Sequence, residues 1–336
     1  MITAVALLLK LFSIPTTEDP AKKLLFPPPS YDENDLFKRI DSFPTCDDGC
    51  HLSRCHNCNA DILDIPDPDY DTPIPDHGIF IAGLIKSIAP DATIEILQTL
   101  SSAGVGSMKT FLCAMHYIHK NMDTSKKNII NCSFGLKCSF VDPETPCEEM
   151  IAHYEGVYET VVTPLETLLN LFSETTVIAS TGNNDGNEST YPAAIDLEHV
   201  IRVGSLGIDC IDESESLIYE KATYSNITKR TMYDPDTEGI KIISGGFYTP
   251  GGMITDGEAD FDDRETSSKK GLIGLYIDDE LTEDPDPSVY AYWSGTSFAT
   301  PLVAGIFAHL YRGHNRESVM AILNDLETAL GSDKLV

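Results

Sequence analysis

The pattern of apolar and polar positions changes character near residue 77. From Gly78 to Ile88 apolar side chains crowd a short stretch (Ile79, Ile81, Ala82, Leu84, Ile85), which predicts a helix packed on a core. Pro90-Asp91 then makes a turn, and Ala92–Leu97 alternates as a strand does. The alternation of elements continues. A helix is predicted over Ser107–Lys120, a strand over Asn128–Phe134, a longer helix within Glu148–Phe172, and strands at Thr176–Ser180 and His199–Val203. Strands separated by helices predict an α/β fold: a three-layer sandwich with a mostly parallel central sheet and helices on both faces. Ser297–Arg312 is apolar almost all round, as a central buried helix is, and Glu317–Leu330 is amphipathic and is expected to pack on the outside.

The first 75 residues read differently. Pro27, Pro28 and Pro29, and the Asp/Pro repeats from Asp64 to Pro75, exclude long helices and predict an irregular Pro/Cys-rich segment. Within it, apolar Ile2–Leu9 reads as a buried strand. It lacks the basic start and small-residue cleavage site of a signal peptide, so the compartment stays open between secreted and intracellular. Residues 76–332 read as one domain, with an acidic insertion near 255–288. No apolar run reaches the ~18 residues of a membrane span, so no span is expected.

Charge narrows the partners. With 53 acidic against 23 basic residues the net charge is −30, which disfavours nucleic acid and anionic membrane surfaces. Nine cysteines are an odd number, and Cys46, Cys50, Cys55 and Cys58 crowd together around His51 and His56. Cys55-x-x-Cys58 can grip zinc, two disulfides can staple the same loop, and unpaired thiols are the third reading. The spacing leaves these alternatives open.

The sharpest chemical signal is Ser294-Gly295-Thr296-Ser297-Phe298-Ala299-Thr300-Pro301. A serine at the mouth of a buried helix is exposed on a rigid element and has backbone N–H groups beside it. A capping serine alone explains Ser297 but not the rest of the string. The segment resembles Gly-Thr-Ser-x-Ala-x-Pro of the subtilisin-like serine proteases (subtilases), five fixed positions with a chance probability on the order of 10⁻⁶ per starting point. His77-Gly78-Ile79-Phe80-Ile81-Ala82-Gly83 is similar to the family's His-Gly-x-x-Val-Ala-Gly, whose first histidine is the general base. Phe80 stands where a second histidine is common. Thr181-Gly182-Asn183 looks like the family's Ala-Gly-Asn, which makes Asn183 the implied oxyanion donor, while on its own Gly-Asn is a turn. Ser133-Phe134-Gly135 resembles the strand that lines the substrate channel, and Ala222–Asn226 the Ser-Asn strand ahead of the serine motif. Asn187-Glu188-Ser189 and Asn226-Ile227-Thr228 fit glycosylation sequons, a common triplet of little weight.

The resemblance covers about His77 to Leu330. It implies a serine endopeptidase with a polypeptide substrate, expected to act as a monomer, requiring no cofactor. Structural calcium is frequent in the family, and no ligand set for it is legible. One part of the pattern fails. The family places an aspartate behind the histidine, at the end of a hydrophobic strand, as Asp-Ser-Gly or Asp-Thr-Gly. Asp41-Ser42-Phe43 keeps Asp-Ser without the glycine or the strand, and Cys46-Asp47-Asp48-Gly49 resembles the kexin branch, again without a strand. Asp41 ranks above Asp47. A missing gene start, an acid from an unusual position, or a catalytically impaired, peptide-binding pseudoprotease would each account for the gap.

Overall fold

The computed structural model describes residues 77–97, 99–100, 106, 108–136, 147–211, 217–252, 272–275 and 290–329. Ile2–Leu9, Asp41, Asp47, the cluster from Cys46 to Cys58 and most of the acidic insertion lie outside them. The chain divides into two compact units. Of the described residues, one unit holds those within 129–273 and 292–329, the other those within 77–128 and 274–291.

In the larger unit a sheet is built from β1 (Ile129–Cys132), β2 (Thr176–Ser180), β3 (Val200–Ile211), β4 (Leu217–Lys221) and, after a separate hairpin of β5 (Lys229–Asp234) and β6 (Gly239–Ser244), β7 (Phe247–Pro250). β1, β2, β3 and β7 run parallel, registered by Ile129 on Thr176, Val177 on Val200 and Val203 on Phe247, while β4 is antiparallel to β3. All five residues of β2 are buried, the pattern of a parallel strand covered on both faces. The α/β architecture expected from the sequence is therefore present, with β3 longer than the predicted His199–Val203.

The predicted helix within Glu148–Phe172 is realised as two α-helices, Cys147–Val157 and Thr163–Asn170, joined by a widened turn at Tyr158–Val162. Pro164 has no N–H to give to the carbonyl of Thr160, and the Thr163 N–H instead reaches back five residues to Tyr158 O. The central helix Thr296–Leu310 packs on β1, β2, β3 and β7, and Phe298, Val303 and Phe307 are buried with Val177, Ile178 and Leu206. Arg316–Ala329 follows it, with Val319 and Leu323 buried.

Two expectations are corrected. Ala222–Asn226 is a turn rather than a strand: β4 ends at Lys221, and the Ser225 N–H closes on Ala222 O at 2.8 Å. In the smaller unit, helices His77–Ile88 and Met108–Asn121 form as predicted, but 92–97 is not a strand. Alternation describes a half-buried segment, and only pairing with a neighbour makes it a strand. Phe80 is fully buried, and a Cβ built on Gly274 would stand 2.6 Å from its ring, so the aromatic side chain fills a packed position. Among the described residues no helix is long and apolar enough to cross a membrane.

The β5–β6 hairpin carries a buried ion pair. Arg230, 2% exposed, sits 3.0 Å from Glu188 Oε2 and stacks on the Tyr191 ring at 4.9 Å. Glu188 Oε1 also accepts the Thr231 N–H at 3.2 Å. Removing one partner strands the other charge away from water, so Arg230→Leu is expected to destabilise the unit by about 3–5 kcal/mol. Denaturant unfolding measures this. A loss under about 1 kcal/mol, the scale of exposed pairs, would show that the pair is solvated.

Candidate active site

The site grows from the start of the helix Thr296–Leu310. Pro301 lies inside it, in its second turn. Lacking an N–H, Pro301 leaves the carbonyl four residues back, that of Ser297, without its intrahelical bond. Ser133 takes it up: its hydroxyl donates to Ser297 O at 2.7 Å and accepts from Asn131 Nδ2 at 2.9 Å. In return Ser297 Oγ donates to Ser133 O at 3.2 Å. The proline of the motif thus ties the serine to the segment that continues β1. That segment runs from Ser133 to Gly135 beyond the end of β1 at Cys132, and Leu136 then exchanges two backbone bonds with Tyr191 (2.7 and 3.2 Å).

The other orphan groups at the helix start are its first N–H donors. Gly295 has no side chain with which to cap them, and the cap comes from a distant loop. Asn183 Oδ1 accepts both the Thr296 N–H and the Thr296 hydroxyl at 2.8 Å each. The Gly182 N–H in turn approaches Thr296 Oγ1 at 3.3 Å. Because a backbone N–H can only donate, this pair fixes which end of the Asn183 amide is oxygen. Its Nδ2 is left to donate elsewhere. It lies on the side of Gly295, where a built Cβ would come within 3.3 Å of it. The Ser297 N–H stands in the same first turn, where no intrahelical carbonyl is available to it. The first turn of this helix thus carries the Ser297 hydroxyl and its backbone N–H, with the Asn183 amide bonded to the neighbouring Thr296.

The approach to this helix is held from below. The Gly295 N–H donates to Gly251 O at 2.8 Å, and the buried Tyr224 hydroxyl lies 2.8 Å from that same carbonyl and 2.7 Å from Ser205 Oγ. Burial pushes the Tyr224 hydroxyl well above the ordinary tyrosine range, which keeps it protonated and able to donate. A Cβ on Gly251 would stand 2.1 Å from Ser205 Oγ and 2.7 Å from Gly295 O, so only glycine allows this approach. Thr190 closes the space between two site segments: Cβ atoms built on Gly135 and Gly182 would meet its side chain at 2.1 and 2.8 Å.

Of the residues singled out in the sequence, Ser297, Asn183 and Ser133 are brought together here, and Gly135 is joined to Gly182 through Thr190. His77 belongs to the smaller unit, where it is the first residue of its helix. Burial pushes its imidazole down to about 4, against an ordinary 6.5. Asp41 and the four clustered cysteines lie outside the described residues. Sequence reading missed the cap made by Asn183, the carbonyl freed by Pro301 and the Tyr224 bridge. Only Pro301 had a legible signal, since proline inside a helix always frees a carbonyl. Among the described residues no group of three or more His, Cys, Asp or Glu side chains gathers that could hold a metal ion. Exposed Asp185 and Asp196 are each held by a lysine, Lys221 at 2.9 Å and Lys241 at 3.4 Å.

A family profile described as the subtilase family, peptidase S8, matches residues 52–329. No curated protein matches the chain. Among solved structures the chain is similar to a lanthipeptide protease, at 24% identity and TM-score 0.43, covering 75% of this chain and 68% of that one. It is also similar to a cold adapted subtilisin-like serine proteinase (18%, TM-score 0.45, 74% and 67%). A third is sphericase (18%, TM-score 0.42), where the match covers 70% of this chain and 61% of that one.

Proposed function

The chain belongs to the subtilase family, and from that premise we propose that it is a serine endopeptidase working through an acyl-enzyme on Ser297. His77 takes the proton of the Ser297 hydroxyl as its oxygen attacks the scissile carbonyl. The oxyanion that forms accepts hydrogen bonds from Asn183 Nδ2 and the Ser297 N–H. His77 then returns the proton to the departing amine, and water releases the acyl group by the same steps in reverse order of roles. Asp41 is the candidate acid behind His77. The substrate backbone lies along Ser133, Phe134 and Gly135, where it adds a strand beyond the end of β1. The catalytic domain is taken as 76–332. The protein acts as a monomer on polypeptide and needs no cofactor for this chemistry. Zinc or disulfides at Cys46, Cys50, Cys55 and Cys58 would serve the fold alone.

The observation that carries the reading is the locked Asn183 amide. Its oxygen is spent on Thr296, and its N–H₂ end remains for an oxyanion beside Ser297. A fluorophosphonate probe tests the proposal directly. The folded protein is expected to take one equivalent, located by peptide mapping on Ser297, and the heat-unfolded protein none. A folded protein that stays unlabelled overturns the enzyme and favours a peptide-binding protein that has kept the fold.

A further inference from the structure

Asn226 is fully buried, although the sequence offers it as a glycosylation acceptor. Every polar group it has is engaged. Its Oδ1 accepts the N–H groups of Asn184 at 2.9 Å and Gly186 at 2.8 Å, and its Nδ2 donates to Glu188 O at 3.0 Å. Its backbone N–H donates to Gly182 O at 2.9 Å, and its carbonyl accepts from Thr181 Oγ1 at 3.1 Å. One side chain and its own peptide thus grip the residue before Asn183 and the residue after it.

The fit is specific to asparagine. The loop presents two N–H donors and one carbonyl to a single side chain, a demand met by an amide and not by a carboxylate, which can only accept. Glutamine is a methylene too long for the space. Cβ atoms built on Gly182 and Gly186 would already stand 2.7 and 3.1 Å from the Asn226 amide, so the backbone is pressed against it. Gly182 also has φ +109°, and Asp185 φ +49°, conformations that the surrounding bonds must hold. Lys221 closes the outside, donating to Asp185 Oδ1 at 2.9 Å and Ser225 O at 2.8 Å.

We propose that Asn226 is the positioning residue of the oxyanion donor: it sets the loop 182–188 so that the Asn183 amide meets Thr296 with its oxygen and the reacting carbonyl with its nitrogen. This rests on the reading of Ser297 as nucleophile. The test is a double-mutant cycle on a chromogenic peptide, using the intact chain, Asn183→Ala, Asn226→Ala and the pair. Alone, Asn226→Ala is expected to lower kcat by about 10- to 100-fold with KM within about twofold, bounded by the ~10²–10³ that losing an oxyanion donor costs. In the Asn183→Ala background the same change is expected to cost less than about threefold, since the group it positions is already gone. Equal losses in both backgrounds, or none in either, overturn the proposal, because a general weakening of the fold acts regardless of Asn183. If Asn226→Ala fails to fold, Asn226→Asp runs the same cycle, keeping both acceptor bonds and setting a carboxylate oxygen against Glu188 O where the donor stood. A wild-type protein that neither cleaves peptide nor takes the fluorophosphonate label overturns the protease reading and this proposal together. Labelling with equal losses overturns this proposal alone.

Discussion

Ser297→Ala is expected to abolish peptide hydrolysis, lowering kcat by about 2 × 10⁶ as loss of the serine does in subtilisin, with the fold intact. The size follows from what is removed. Without the hydroxyl there is no acyl-enzyme, and water must attack directly with only the oxyanion donors helping, a residual worth about 10³–10⁴ over the uncatalysed reaction. The fold should notice little. Ser297 Oγ makes one neutral hydrogen bond at 3.2 Å, to Ser133 O, and lies in a half-buried position, so stability should fall by no more than about 1 kcal/mol. The tie that matters mechanically, Ser133 Oγ to Ser297 O, uses the backbone and survives the substitution. Steady-state kinetics and a denaturant titration measure both halves. Activity persisting at more than about a hundredth of wild type in a folded Ser297→Ala protein, far above that residual, would falsify the assignment of the nucleophile.

The parts of this molecule that were legible in sequence are those where hydropathy and packing ask the same thing. The His77–Ile88 helix, all-buried β2 and the helix after Ser297 carry continuous or periodic apolar residues, and each forms where expected. The β5–β6 hairpin was missed for a physical reason. Its inward positions are Arg230 and Met232, and an arginine facing inward breaks the apolar alternation that marks a strand. Glu188, 42 positions earlier, and the Tyr191 ring make that arginine tolerable, and such pairing cannot be read locally. Segment 92–97 shows the converse error, alternation without strand pairing.

The site divides in the same way. Ser297, Asn183 and Ser133 stood out because short motifs surround them, and the structure joins them through bonds between segments 113 to 164 residues apart. What those motifs do not reveal is why they contain what they do. Pro301 frees the carbonyl that Ser133 holds. Thr296 consumes the oxygen of Asn183, and Asn226 plugs the loop that presents it. Each is a demand for satisfied polar groups at a helix end or in a tight loop, a constraint that operates only after folding.

His77→Ala is expected to match the serine variant, about 2 × 10⁶ in kcat, because in the proposed mechanism losing either residue disables the same step. The pH dependence carries more information. His77 must be neutral to accept a proton, and burial holds its pKa to about 4, so kcat/KM should stay flat down to about pH 5 and fall as pH drops through 4. Folding follows the same sign. The unfolded imidazole binds its proton near 6.5 and the folded one near 4, so stability declines as pH falls from about 6.5 to 4 and levels off below. A base with so low a pKa has little appetite for the serine proton, and an ionised carboxylate behind the ring would raise it and strengthen the base. The acid limb of the kcat/KM profile therefore reports on the aspartate. A limb near 4 means that burial is the dominant influence on the imidazole. A limb well above 6.5 overturns that expectation and points to an anion behind His77. Asp41→Asn should then move the limb down and cost about 3 × 10⁴ in kcat, whereas a shift produced instead by Asp47→Asn would transfer the role to Asp47.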